Sequence, residues 1–235
     1  QHLKSLYNSK NIEKIFIHDF DKELMISLSA KYNAYMVDSF KQLVNQNIEL
    51  LVIASFDNYH AEQIRIAFQK NINVFIEKPL CLNNNELKLI MDDFYDSQSQ
   101  LSCNFILRKE RRFEILKNNI KNGLLGEIYQ VEGSYDYGRF YKIKSGWRGK
   151  IPYYSVFHGG AIHLIDLFGW LLKSNFSPEF VLGTNAAIKG DDQLEKSVRY
   201  DNILAVGKFK NNIIGRISSN YCTTSKHYHQ IRIYG

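Results

Sequence analysis

Two apolar runs, Glu49-Leu50-Leu51-Val52-Ile53-Ala54-Ser55 and Asn73-Val74-Phe75-Ile76, flank a helix-patterned stretch from Asn58 to Lys70. That spacing constrains the fold more than any other feature. A near-continuous apolar strand is expected where both faces of a sheet are covered, and parallel neighbours need a helical crossover between them. The alternation extends in both directions. Leu3 to Lys10 reads as a short helix, Ile12 to Asp19 as a strand, and Asp21 to Tyr32 as an amphipathic helix with an acidic start. A strand around Tyr35 to Val37 and a helix from Ser39 to Gln46 follow. Beyond the second run come a helix from Asn83 to about Tyr95 and a strand from Gln100 to Leu107. The series predicts an α/β domain over residues 1–107, built on a doubly wound parallel sheet.

From residue 108 the pattern changes. Arg111 to Asn122 reads as a helix stopped by Gly123, and one further helix is expected from about His158 to Leu172. Strands are expected around Ile128–Tyr137, Glu179–Ile188, Asn202–Phe209, Ile213–Tyr221 and Tyr228–Tyr234. Lys210-Asn211-Asn212 is a hairpin signal between two of them. Residues 108–235 are therefore expected to form an α+β domain with a mainly antiparallel sheet.

Composition removes several function classes. The chain has 235 residues, 45% hydrophobic and 23% charged, as in a folded globular protein. No apolar run approaches the roughly 18 residues that span a bilayer. The start, Gln1-His2-Leu3-Lys4, has neither the pattern of a secretion signal nor an initiating Met, so the chain is expected to begin inside a longer product. Cys81, Cys103 and Cys222 are scattered and form no C-x-x-C, which argues against a metal site or a disulfide framework and for a reducing cytoplasm. The net charge of +6 is dispersed, with Lys109-Glu110-Arg111-Arg112 the densest cluster, so anionic small molecules fit better than nucleic acid.

Chemistry enters at the strand ends. Glu77-Lys78-Pro79 closes the run Asn73 to Ile76 and delivers a lysine to the carboxyl edge of the sheet, where open α/β sheets bind ligands. The proline holds Lys78 in an extended backbone. Asp19 ends the strand Lys14 to His18. A carboxylate there suits the ribose hydroxyls of a dinucleotide and repels a 2′-phosphate, favouring NAD over NADP. The alternative for Asp19 is a helix cap, for which Asp21 is the better placed. No glycine-rich turn precedes this strand.

Taken in order, Ala54-Ser55-Phe56-Asp57-Asn58-Tyr59-His60, Glu77-Lys78-Pro79-Leu80, Asn104 with Arg108, Gly123-Leu124-Leu125-Gly126-Glu127-Ile128, Trp147-Arg148 and Gly160-Ala161-Ile162-His163-Leu164-Ile165-Asp166-Leu167 resemble the Gfo/Idh/MocA oxidoreductases. These are two-domain enzymes with a Rossmann domain that use NAD(P) on sugars, sugar derivatives and cyclitols. The resemblance runs over essentially the whole chain, with both ends of the family pattern missing. It implies a cofactor site formed by Asp19, Ser55, Phe56, Asn58, His60, Glu77, Lys78, Asn104, Trp147 and Arg148. It also implies that Lys78 holds the reacting oxygen of a small-molecule sugar substrate and that His163 is the general acid/base.

His163 and Asp166, spaced i and i+3, share a helical face and are expected to form an orienting pair, either catalytic or as a satisfied core histidine. One position departs from the family pattern: Gly159 stands where an Asp is common, one turn before the histidine. His158 is adjacent but would point about 140° away from His163 on an α-helix. The proton relay is then expected to use Lys78 and His163 alone, or to recruit Tyr153 or Tyr154.

Phe113, Phe140, Tyr141 and Trp170 read as a sugar-stacking set or as ordinary core. The basic segment Gly138 to Phe157 reads as a solvated loop or as a binder of an acidic or nucleotide sugar; by resemblance only, precursors of surface polysaccharides are a plausible setting. The expected function is an NAD-dependent sugar oxidoreductase acting as a homo-oligomer in the cytoplasm, with no metal, membrane or nucleic-acid partner. The rival is a non-catalytic dinucleotide or sugar sensor on the same fold.

Overall fold

The computed structural model describes residues 1–151, 154–185, 190, 192, 198–221 and 223–235. It forms two compact units, Gln1–Cys103 and Asn104–Gly235. The boundary precedes residue 107 because the last strand of the first unit ends at Cys103, and a 3-10 turn at Ile106–Lys109 packs against helices of the second.

In the first unit, β1 (Phe16–Ile17) pairs parallel with β2 (Tyr35–Met36). A second parallel sheet has the order β3 (Leu50–Ile53), β4 (Asn73–Ile76), β5 (Leu101–Cys103). In the doubly wound order 3-2-1-4-5-6, two strands lie on one side of the first and three on the other; these two sheets have that grouping and sequence order. The helices are α1 (His2–Tyr7), α2 (Lys22–Tyr32), α3 (Phe40–Leu43), α4 (His60–Gln69) and α5 (Asn84–Tyr95). Asp21, Ser39 and Asn83 cap α2, α3 and α5, each side chain accepting a backbone N–H of the first turn.

Burial corrects one expectation. Leu51, Ile53, Val74 and Ile76 are buried in one core with Ile64, Phe68 and Ile90 of α4 and α5, but Leu50 is exposed and Val52 and Phe75 only half-buried. The second face is covered more thinly, with the His2 ring of α1 edge-on to Phe75 at 5.4 Å. The strand expected over Ile12 to Asp19 contracts to Phe16–Ile17 because only these residues find a ladder partner.

The second unit carries α6 (Arg111–Lys121), β6 (Gln130–Asp136), α7 (Tyr141–Lys144), β7 (Tyr154–Ser155) and α8 (Ile162–Leu172). Strands β8 (Ser177–Thr184), β9 (Val198–Tyr200), β10 (Asn202–Lys208), β11 (Ile214–Asn220) and β12 (Tyr228–Tyr234) complete it. The main sheet has the order β12-β6-β11-β10-β8, antiparallel except for the β6–β11 pair. The β10–β11 hairpin closes through Lys210–Asn212, where Asn211 and Asn212 take φ of 59° and 56°, a left-handed turn that asparagine tolerates. The pattern did not reveal α7 or the small β7–β9 pair.

Helix α8 lies on one face of the main sheet, where Leu164, Leu167, Phe168 and Leu171 join Val131, Tyr135 and Ile217 in the core. The approach is close at Gly133, where a Cβ would stand 2.9 Å from Phe168 Cε2 and 3.0 Å from Leu164 Cδ1. Gly133→Val should therefore overpack the core at a cost of about 1–3 kcal/mol, seen as a lower denaturant midpoint with an unchanged slope.

Candidate functional site

In the first unit, the functional residues gather where β3 and β4 end. Parallel strands bury their ladders, so the side chains free to meet a ligand lie beyond the last paired residue. Glu77 N–H still donates to Ile53 O at 2.9 Å, which fixes the position at which Lys78 leaves the sheet. Glu77 is held by His2, whose Nε2 lies 2.6 Å from Oε1. Both Glu77 and Lys78 are half-buried.

The other half of this edge is the loop from Ala54 into α4. Phe56 and Asn58 are exposed, and Ser55 Oγ donates to Gln63 Oε1 at 2.7 Å. A 3-10 turn at Asp57–Tyr59 leads into α4, so backbone N–H groups of a ten-residue helix start here. His60 takes a different part from the one expected. It is fully buried, with Nδ1 2.7 Å from Pro79 O and Nε2 3.2 Å from Ser55 O. It ties the two loops together instead of presenting its ring to a ligand. Asp19 stays exposed and accepts the Asp21 N–H at 3.0 Å, while Asp21 accepts from Leu24 N–H as the cap of α2.

The second unit holds the remaining candidates. His163 is buried on α8, its ring stacked on Tyr135 at 5.9 Å and edge-on to Phe105 at 6.4 Å. Asp166 receives a guanidinium: Arg108 Nε donates to Oδ2 at 2.8 Å and its Nη2 to Oδ1. The partner found for Asp166 is thus Arg108, not the imidazole expected from the i, i+3 spacing. A two-pronged guanidinium matches a carboxylate better than an imidazole does, and it ties α8 to the turn at Ile106–Lys109. Asn104 is half-buried. Trp147 and Arg148 begin a 3-10 turn, with the Arg148 guanidinium 4.3 Å from the Trp147 ring centre.

The approach to α8 is a π-turn at Phe157–Ala161, in which Ile162 N–H donates to Phe157 O five residues back. This wider turn replaces the α-helical geometry on which the separation of His158 from His163 was reckoned. His158 Nδ1 lies 3.3 Å from Ser155 Oγ. At Gly159 a Cβ would fall 2.3 Å from Tyr154 Oη and 2.7 Å from Tyr221 Oη. Two buried phenols thus hold the space next to the position where the family often has an Asp. Tyr153 lies outside the described residues.

Around Tyr135 the structure gathers residues that sequence reasoning missed. Tyr135 stacks on Tyr137 at 6.2 Å and on His229 at 6.1 Å, and meets His227 edge-on at 5.1 Å. The signal was present: Tyr135/Tyr137 and His227/His229 are each spaced by two, which puts each pair on one side of an extended chain, at the end of β6 and the start of β12. His229 Nε2 lies 2.6 Å from Arg112 Nη2, and since a guanidinium only donates, Nε2 accepts and the proton sits on Nδ1. That Nδ1 is buried and has no partner among the described residues. Of the proposed sugar-stacking set, Phe113 is buried core and Trp170 packs against the same core under Lys117 at 3.7 Å, whereas Tyr141 is exposed.

With both units described, comparison with known proteins gives the class. Residues 1–105 match the NAD-binding Rossmann fold of the oxidoreductase family, and residues 117–235 match its C-terminal alpha/beta domain. The chain belongs to the Gfo/Idh/MocA oxidoreductase family. Glucose-6-phosphate 3-dehydrogenase of Bacillus subtilis is 26% identical over 231 residues, 94% of this chain and 64% of that protein. Inositol 2-dehydrogenase of Salmonella typhimurium is 24% identical over 180 residues, 74% of this chain and 52% of that protein. The chain thus spans between about half and two thirds of the length of these relatives. Among solved structures, the WlbA dehydrogenase of Bordetella pertussis, in complex with NADH and UDP-GlcNAcA, shares the fold with a TM-score of 0.84 at 20% identity, over all of this chain and 67% of that one. Lactobacillus casei scyllo-inositol dehydrogenase with bound NAD(H) and scyllo-inositol gives 0.81 at 16% identity, over all of this chain and 69% of that one.

Burial first, then the positive charge of Arg139 at His227 and of Arg112 at His229, lowers the proton affinity of both histidines below the usual imidazole range, although the Glu110 carboxylate 3.7 Å from His229 Nε2 opposes the shift there. The unfolded chain then binds more protons than the folded one, so stability must fall as pH drops through about 6.5. Melting temperature measured from about pH 7.5 to about pH 5.5 should fall more steeply for the native protein than for His229→Gln. Equal slopes would contradict the assignment.

Proposed function

We propose that the protein is an NAD-dependent oxidoreductase that reversibly oxidises a secondary alcohol of a sugar or sugar derivative. The observation that carries this reading is the edge at which Glu77 and Lys78 leave β4, tied through His60 to the loop Ser55–Asn58. The residues fit a dinucleotide. The N-terminal amides of α4 with the preceding turn suit a diphosphate, and the exposed carboxylate of Asp19 suits ribose hydroxyls. That carboxylate also favours NAD over NADP, because a 2′-phosphate would meet like charge. Ser55, Phe56, Asn58, Glu77 and Lys78 would complete the cradle, with Asn104, Trp147 and Arg148 assigned by resemblance. When bound, the nicotinamide ring supplies the hydride acceptor.

The chain's own groups handle the oxygen and the proton. The Lys78 ammonium donates a hydrogen bond to the substrate oxygen and stabilises the negative charge that grows there as the carbon loses hydride. His163 takes the hydroxyl proton in oxidation and returns it in reduction, a task suited to an imidazole near neutral pH. Asp166 and Arg108 act as positioning residues by holding α8. Two relatives are named for a sugar phosphate and a cyclitol, glucose-6-phosphate 3-dehydrogenase and inositol 2-dehydrogenase, which supports a sugar or sugar derivative as the substrate of this chain.

The open face of the main sheet supports a homo-oligomer. Phe180 and Leu182 are 70% and 68% exposed and stand opposite Val206 and Leu204 in the ladder, an apolar patch suited to a second copy. Cys81 and Cys103 form no disulfide, in keeping with a reducing cytoplasm. Among the described residues no helix is long and apolar enough to cross a membrane.

In an assay with NAD and a panel of inositols and sugars, Lys78→Met should lower kcat by about 100- to 1000-fold. His163→Ala should lower kcat by about 100-fold or more. Native rates in Lys78→Met would overturn the reading. Tight NAD binding with no sugar ever reducing it would favour the sensor.

A further inference from the structure

Three rings from two loops meet at the carboxyl ends of β1 and β3. His18 directly follows β1, and its Nδ1 lies 3.2 Å from Val37 O, which pins the half-buried imidazole beside the residue that follows β2. Phe20 lies edge-on to that imidazole, with ring centres 5.9 Å apart. It also meets Tyr59 at 5.9 Å, with the two rings tilted by 43°. Phe20 is nevertheless 72% exposed and Tyr59 37% exposed. A single exposed phenylalanine needs no explanation. Here two further rings brace the exposed one, which costs side-chain freedom without taking the ring out of water.

The place of this cluster gives it a meaning. Strands β1 and β3 belong to different sheets, and the Phe20–Tyr59 contact bridges the loops that follow them. In a doubly wound fold, ligands bind in the crevice outside the carboxyl ends of the strands. Phe20 is next in the chain to Asp19, whose exposed carboxylate suits ribose hydroxyls. Tyr59 immediately precedes α4, whose first amides suit a diphosphate. In an adenosine diphosphate the base and the diphosphate hang from one ribose. The base therefore comes to rest one sugar away from both Asp19 and the start of α4, and Phe20 and Tyr59 are the neighbours of these two points. A flat base makes contact at about 3.5 Å on each face, so it would need about 7 Å between two rings. At 5.9 Å Phe20 and Tyr59 leave no such gap, and the base has the exposed face of Phe20 to stack on.

We propose that Phe20, braced by His18 and Tyr59, is a stacking platform for the adenine ring of a bound adenine nucleotide, here that of the dinucleotide. This rests on the reading of the first unit as a dinucleotide site and names the residues that hold its nucleobase. Stacking on an aromatic ring adds affinity whatever the base, because every base has a π-face. Discrimination against a 2′-phosphate stays with Asp19. Bracing holds the platform ring before the ligand arrives, so less side-chain freedom is lost on binding.

The test is calorimetric titration of the 235-residue protein with NAD, ADP-ribose, AMP and nicotinamide mononucleotide. Phe20→Ala should weaken NAD and ADP-ribose by about fivefold or more, Tyr59→Ala should weaken them in the same sense, and neither should change the affinity for nicotinamide mononucleotide. Phe20→Trp should keep the native affinity, and ADP-ribose, unlike the mononucleotide, should quench the fluorescence of the new indole. Circular dichroism verifies that each variant is folded. Native affinity for ADP-ribose in Phe20→Ala, an equal loss for nicotinamide mononucleotide, or an unquenched indole would overturn the proposal, as would a native protein that binds none of the adenine nucleotides. AMP binding more tightly than NAD, with the same dependence on Phe20, would keep the platform and sink the dinucleotide. Loss of affinity in Phe20→Ala, with no sugar ever reducing NAD, would sink the oxidoreductase reading and leave the platform standing. NAD reduction with unchanged affinity in both alanine variants would do the reverse.

Discussion

A parallel strand spends its backbone hydrogen bonds on its neighbours and its side chains on the layers above and below, so chemistry can begin only where the ladder stops. In this chain the ladder between β3 and β4 stops at the bond from Glu77 N–H to Ile53 O. The next residue is Lys78. Its half-buried position, the pairing of Glu77 with His2, and the tie from His60 to Pro79 O all follow from that termination. The lysine is held by the sheet end and not by a free loop, which lets a flexible side chain act from a reproducible place.

The second unit solves a different problem, that of packing a polar, titratable cluster against a hydrophobic helix. Close approach is made possible by missing side chains. Gly133 admits Leu164 and Phe168, and Gly160 lets the π-turn lie on Tyr135, whose Cδ1 would be 2.4 Å from a Cβ there. The aromatic rings around Tyr135 then bury His163 and half-bury His229 without leaving them in a purely aliphatic core. The same burial that lowers proton affinity at His227 and His229 keeps Tyr135 and Tyr221 neutral, because low polarity penalises whichever form is charged.

Much of this was legible in the sequence because periodicity and strand-end chemistry are local signals. The parallel sheets, the hairpin at Lys210–Asn212 and the strand Tyr228–Tyr234 follow from alternation and turn residues alone. What stayed hidden depended on tertiary partners. Asp166 shares a helical face with His163, yet the partner found for it is Arg108, fifty-eight positions away in the chain. His60 has the residue type of a ligand contact, but its burial between two carbonyls makes it a strut. A glycine at position 159 reads as an absence; the sequence offers the nearby Tyr154 as a substitute, but only the folded chain shows that Tyr221, from a distant segment, shares the place.

The first unit carries a dinucleotide-type strand edge and the second a cluster of histidine, phenol and arginine, within a family of oxidoreductases. The proposed activity requires that hydride leave a sugar carbon for nicotinamide. The direct measurement is mass spectrometry of the nicotinamide after incubation with NAD and sugars deuterated at each ring carbon in turn. Deuterium should appear in the reduced nicotinamide from one carbon position and from none of the others. Unlabelled or unreduced nicotinamide throughout, with the dinucleotide bound and every sugar recovered unchanged, would contradict it.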